Sequence, residues 1–291
     1  MKIMTKISET KKLTEAWKTL FFTLMLISIQ TTIFFLPLDI KYNFVLNSEN
    51  PTILSIYLNH FTHLSIDHFL RNIFSFLFLM FLFIILSMKT KDSTKILKIL
   101  FSATVILPIF ISASILLISL ITSSKSNFLG FSSLLASFYS IFLVHLFNNF
   151  LKIPVSISTN FILSILSLYL VPYFFYFEKI LTPTLKILLF AIIPLATIYF
   201  FHSVKQTLKL KRLIKERKAQ VLLILSPFII LFLLFVPLFP FKIVQEDSRI
   251  GIEVHYIGLI FGFLWIHIYN ILERLKVKFS QCCKTGKHFG K

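Results

Sequence analysis

The chain has 291 residues, 56% of them hydrophobic and 14% charged, with a mean hydropathy of +0.85. A soluble domain carries roughly 25% charged and about 45–50% apolar residues, so the composition excludes an ordinary soluble enzyme and points to a membrane protein. The formal charge of +18 then reads as basic loops at a membrane surface rather than as a nucleic-acid footprint.

In chain order, a polar, basic segment at 1–18 leads into an apolar run at 19–38. No small-residue cleavage site follows, so the run is expected to be a retained first span. Apolar stretches of about 18 residues or more with few charges cross bilayers. On that criterion further spans fall at about 66–88, 97–122, 129–150, 159–177, 184–203, 220–241 and 252–272, and a basic tail occupies 273–291. Pro108, Pro172, Pro194, Pro227 and Pro237 lie inside spans, where neighbouring helices can satisfy the freed backbone groups. The expected fold is an all-α, polytopic membrane helix bundle of about eight spans over 19–272. The outer loop at 39–65 is the longest, and 51–64 is apolar enough to lie in the interface.

Charge sets the expected orientation. Basic residues crowd the segments before span 1, between spans 2 and 3 (Lys89, Lys91, Lys95, Lys98), between spans 6 and 7 (205–218) and after span 8. With eight spans all four segments fall on one side, which the positive-inside rule makes cytoplasmic. Both termini are therefore expected in the cytoplasm of a cell-membrane protein. Cys282 and Cys283 are the only cysteines and no histidine pair stands beside them at zinc-site spacing, so neither a disulfide framework nor a metal is expected. No cofactor is expected either.

Polar side chains inside spans are costly and mark function. Span 2 opens His-Leu-Ser-Ile-Asp-His-Phe-Leu-Arg-Asn, with Ser65 and Asp67 as N-terminal caps and His68 and Asn72 four apart on one face. Arg71 points about 100° away and can reach the outer head groups. Span 4 opens with Gly130, which lets the backbone turn, and Ser132 in the first helical turn; Ser133, Ala136, Ser137 and Ser140 continue a small-residue face. Span 8 carries His255, Gly258 and Gly262 on one face. All three spans enter from the outside, so His68, Asn72, Ser132 and His255 converge near the outer end. His68, Ser132 and His255 each lie roughly 3–8 Å below the boundary at about 1.5 Å of rise per residue.

The spacing of His63, His68 and Asn72, the Gly-x-Ser of Gly130 and Ser132, and the His-x-x-Gly-x-x-x-Gly of His255, Gly258 and Gly262 together resemble the rhomboid intramembrane serine proteases. The match occupies spans 2, 4 and 8 in the family's order. The resemblance implies a rhomboid-like core, Ser132 as nucleophile and His255 as its general base. It implies likewise that His68 and Asn72 line the oxyanion hole, with transmembrane proteins as substrates. The chain departs from the family in having three spans, not one, between the serine and histidine helices. It also has Ser133 where many members have glycine, and Ala136 where some have an aromatic residue.

No acid stands at helix spacing to orient His255: Glu253, two residues away, points to another face, so a Ser–His dyad is the natural reading. His60 and His63 are expected to be structural, as are His145, His202 and His267 toward the inner side. Two rival functions remain open. A catalytically inactive rhomboid-like protein that binds membrane segments needs neither Ser132 nor His255. A small-solute transporter needs its polar groups at the midplane rather than near the outer end.

Overall fold

The computed structural model describes residues 2–89, 93–122, 125, 127–151, 244–245, 248–249 and 252–285. Among these the helices are α1 (Lys2–Phe34), α2 (Leu38–Tyr42), α3 (Ile53–Leu58), α4 (Ile66–Lys89), α5 (Ser93–Thr122), α6 (Ser132–Leu151) and α7 (Ile252–Thr285). Two short ladders accompany them. β1 (Leu46–Asn47) pairs antiparallel with β2 (Asn127–Phe128), and β3 (Val244–Gln245) with β4 (Ser248–Arg249).

Four stretches are long and apolar enough to cross a membrane: Ala16–Phe34, Ile66–Ser87, Thr94–Ile121 and Val254–Val277. They coincide with the spans read at 19–38, 66–88, 97–122 and 252–272, and the shorter apolar helix Ser132–Leu146 corresponds to 129–150. The spans expected at 159–177, 184–203 and 220–241 lie outside the described residues. Large apolar side chains face outward along these helices, Phe21, Phe74 and Leu120 among them at 72%, 66% and 77% exposure. In water such faces would collapse or aggregate; against lipid tails they cost nothing. The described residues form a mostly helical bundle of membrane-protein type.

Local chemistry sets the helix ends. Thr52 and Ser55 form a capping box at α3, each hydroxyl accepting the other's backbone N–H at 3.0 Å, so two otherwise orphaned donors are satisfied reciprocally. Ser65 caps α4 by accepting the His68 N–H at 3.3 Å. Asp67 instead pairs with Arg71 at 2.6 Å, both well exposed, so the pair adds little stability and holds Arg71 at the surface. At the other end of the outer loop the buried Lys41 ammonium donates to the Phe34 carbonyl at 3.0 Å and sits over the Phe34 ring. A cation there complements the negative end of α1. In α5, Pro108 has no N–H for the Thr104 carbonyl, and the Tyr57 hydroxyl donates to that carbonyl at 3.2 Å.

The centre of the bundle is α6. Every residue from Ser133 to His145 is buried, as befits a helix that is apolar or small on all faces. Ring contacts give the directions of its neighbours. Phe76 packs on Phe131 and Phe138, and Phe83 on Phe142, so α4 runs parallel to α6. Phe110 meets Phe261 while the Trp265 indole N–H donates to Ser102, so α5 runs antiparallel to α7. Phe34 stacks on Phe69 at 4.4 Å, which joins the end of α1 to the start of α4. The starts of α4, α6 and α7 thus share one end of the bundle.

Candidate functional site

The turn into α6 is built on Gly130, whose φ of +112° lies where a side chain would be strained. The space a side chain would take holds His68: a Cβ on Gly130 would stand 2.6 Å from His68 Cε1. His68 lies in the first turn of α4, so α4 and the turn before Ser132 meet through this ring.

Residues 59–63 grip the same turn from the other side. The Asn59 carbonyl accepts the Gly130 N–H at 2.8 Å. The His63 Nε2 accepts from the Phe131 N–H at 3.5 Å and from the Asn72 side-chain amide at 2.9 Å. Both partners are donors, so Nε2 carries no proton and the ring is neutral. His60 makes the third tie, its Nδ1 lying 2.9 Å from the Ser133 hydroxyl and its Nε2 3.0 Å from the Pro108 carbonyl and from Ser112 Oγ. A carbonyl can only accept, so the proton is on Nε2 and Ser133 donates to the bare Nδ1. Ser112 in turn donates to the Ile56 carbonyl at 2.7 Å. Burial holds both imidazoles below their ordinary pKa, His60 at about 4 and His63 at about 3, because charge is expensive away from water.

The glycine face of α7 seats on α6. A Cβ on Gly258 would overlap the Ser133 carbonyl, and one on Gly262 would lie 2.8 Å from Ser137 Cα. Both contacts advance along the two helices together, so α6 and α7 run parallel. Freed of side chains, the backbones approach closely enough for Ser137 to donate to the Gly258 carbonyl at 2.8 Å and Ser140 to the Leu259 carbonyl at 2.7 Å. His255, 5% exposed, stands one turn before Gly258 on that face, at the level of the first turn of α6.

Ser132 differs from the serines that follow it. It is half-buried while Ser133, Ser137 and Ser140 are fully buried, and its hydroxyl makes no hydrogen bond to His255 or to any other described residue.

Gly130, Ser132, His68 and Asn72 are thus gathered around one turn, and Gly258 and Gly262 bring the His255 helix against it. His60 and His63, expected to be structural, are buried in hydrogen-bonded positions. The pairing of His60 with Ser133 was not read from the sequence. A sequence signal existed only for the neighbouring tie: a proline inside a span frees the carbonyl four residues before it, and Tyr57 answers that need at Thr104. Among the described residues no cluster of His, Cys, Asp or Glu could hold a metal ion. Comparison with known proteins finds no matching family model, no matching curated protein and no matching solved structure.

Proposed function

We propose that the chain is an intramembrane serine protease of rhomboid type, with Ser132 as nucleophile and His255 as general base. The observation that carries this reading is the seating of the Gly258–Gly262 face on Ser133 and Ser137, because His255 belongs to that face and Ser132 to that turn. Ser132 is partly buried, whereas Ser133 beside it is fully buried.

A serine hydroxyl is a weak nucleophile until a base takes its proton. In the proposed reaction the Ser132 Oγ attacks a peptide carbonyl while its proton passes to His255. The C–N bond then breaks as His255 returns the proton to the leaving amine. Water, deprotonated by the same imidazole, hydrolyses the acyl-enzyme. The developing oxyanion meets the Ser132 backbone N–H, which as a first-turn amide has no intrahelical partner. His68 and the Asn72 amide proton not given to His63 add donors. The substrate segment must unwind locally, since helical carbonyls are already bonded.

The site lies at the end of the bundle where α4, α6 and α7 begin. By the charge of the loops that end is the outer one, and both termini are cytoplasmic in a cell-membrane protein. Transmembrane proteins are then the substrates and the bilayer the surroundings.

A second reading, a rhomboid-like protein that binds membrane segments without cutting them, is favoured by the open Ser132–His255 pair. Catalytic hydrogen bonds are often long in unliganded enzymes and tighten only with substrate, so protease remains the better account. The Ser133–His60 pair has the bond that Ser132 lacks, but at 0% and 1% exposure it is closed to any substrate.

Reaction of the detergent-solubilised protein with a fluorophosphonate probe tests the proposal. Label is expected on Ser132 and is expected to vanish in Ser132→Ala and His255→Ala, together with cleavage of a transmembrane substrate. A well-folded protein that takes no label, or takes it elsewhere, removes the protease assignment.

A further inference from the structure

Four successive residues make the turn into α6, and three of them are tied to one short segment of the outer loop. Gly130 is held through its N–H by the Asn59 carbonyl, Phe131 through its N–H by His63, and Ser133 through its hydroxyl by His60. Ser132 alone is skipped. The gripping segment is itself rigid: the Asn59 amide donates to Ser112 Oγ at 3.0 Å and to the Ile56 carbonyl at 3.0 Å, and α3 before it is closed by its capping box. All of Asn59, His60 and His63 are buried to 2% exposure or less.

We propose that His60 is a positioning residue for Ser132, acting through its hydrogen bond to Ser133 and anchored on the Pro108 carbonyl of α5. This rests on the reading of Ser132 as nucleophile.

The direction of each bond gives the tie its force. Because Nε2–H is committed to the Pro108 carbonyl, Nδ1 can only accept, and the Ser133 hydroxyl is the donor that meets it. With Gly130 and Phe131 held behind and Ser133 held ahead, the Cα of Ser132 is confined on both sides, although its own side chain bonds to no described residue. The arrangement suits a nucleophile, whose hydroxyl must be free to react and yet be held to a fraction of an ångström. A misplacement of about 1 Å can cost roughly 100-fold in rate. Ser133 stands where the rhomboid resemblance puts a glycine, so the tie uses a departure of this chain rather than a shared feature.

Removing His60 would leave several buried groups unpaired, so the test uses Ser133→Ala, which deletes one hydroxyl and keeps the imidazole's other bonds. Ser87→Ala, which removes a buried hydroxyl bonded to the Ile84 carbonyl at the far end of α4, is the control. The readouts are the rate constant for fluorophosphonate labelling of Ser132 per folded molecule, kcat and KM on a transmembrane substrate, and the unfolding midpoint. Ser133→Ala is expected to lower the labelling rate constant and kcat per folded molecule by about 10- to 100-fold, with KM near wild type and the midpoint lowered because the buried His60 Nδ1 loses its donor. His60→Gln is expected to act in the same direction, and Ser133→Ala is expected to add little on top of it. Labelling of Ser133→Ala at the wild-type rate overturns the inference, as does an equal loss in Ser87→Ala. Wild-type protein that takes no label on Ser132 sinks the protease reading instead, a result distinct from either.

Discussion

The His68 imidazole fills the volume that a side chain on Gly130 would need, with Nε2 3.0 Å and Cε1 2.6 Å from the position of a Cβ. Two requirements therefore fall on one residue: the positive φ of the turn and the close approach of the ring. Gly130→Ala must either abandon the turn or displace His68. We expect it to destabilise the protein by about 1–3 kcal/mol, the usual cost of a residue held in a sparsely populated conformation. Thermal unfolding in detergent measures this. A midpoint equal to that of wild type would mean that the turn tolerates a side chain and that His68 is not held by it.

Asn72 and Arg71 are sequence neighbours with opposite surroundings, one 5% exposed and bonded to His63, the other at the surface with Asp67. If the free amide proton of Asn72 meets the transition-state oxygen, Asn72→Ala lowers kcat by roughly 10- to 1000-fold and leaves KM nearly unchanged. Arg71→Gln breaks only an exposed ion pair and leaves kcat intact. Steady-state kinetics on a transmembrane substrate separates the two. A rise in KM at constant kcat in Asn72→Ala would make that residue a binding contact.

Stability is expected to depend on pH through the two buried loop histidines. Both titrate near 6.5 when unfolded but are held at about 4 for His60 and about 3 for His63 in the fold. Between those values the unfolded chain binds more protons, so stability rises with pH. The contribution is complete above about pH 6.5 and is lost as pH falls from there toward 4 and then 3. For His60 alone the loss approaches about 3 kcal/mol, at roughly 1.4 kcal/mol per unit. Unfolding midpoints between pH 8 and 3 follow the loss, and His60→Gln is expected to flatten it. A midpoint constant from pH 7 to 4 would contradict the assignment of neutral, buried rings.

Gln30 lies fully buried in the seam of α1 between Leu26 and Ile33, and neither its amide nitrogen nor its amide oxygen has a hydrogen-bond partner among the described residues. An unsatisfied buried polar group costs about 1–3 kcal/mol. Gln30→Leu keeps the shape and removes the amide, so we expect a higher unfolding midpoint. A lower midpoint would reveal a partner for the amide, such as an ordered water.

Much of this bundle was legible because lipid rewards long apolar runs. The spans read at 66–88 and 97–122 fall on α4 and α5 within a few residues. Hydropathy is blind where a helix leaves the apolar layer, so the continuation of α1 back to Lys2 and of α7 on to Thr285 went unread. The companions of Ser132 were legible through spacing on single helix faces, which is how Gly258 and Gly262 were linked to His255. The grip of residues 59–63 was not, because it joins an outer loop to α5 and α6 across more than 40 positions in sequence. Asp67 was read as a cap from its place in the first turn, but Ser65 already serves the cap and Arg71 draws the carboxylate outward.

The parallel run of α6 and α7 fixes depth as well as direction. Gly258 sits against Ser133 and Gly262 against Ser137. A slip of α7 by one turn, about 5.4 Å, would bring Ile266 or Val254 to a seat that only glycine clears. His255 is therefore pinned at one level of the bundle by two residues that carry no side chain.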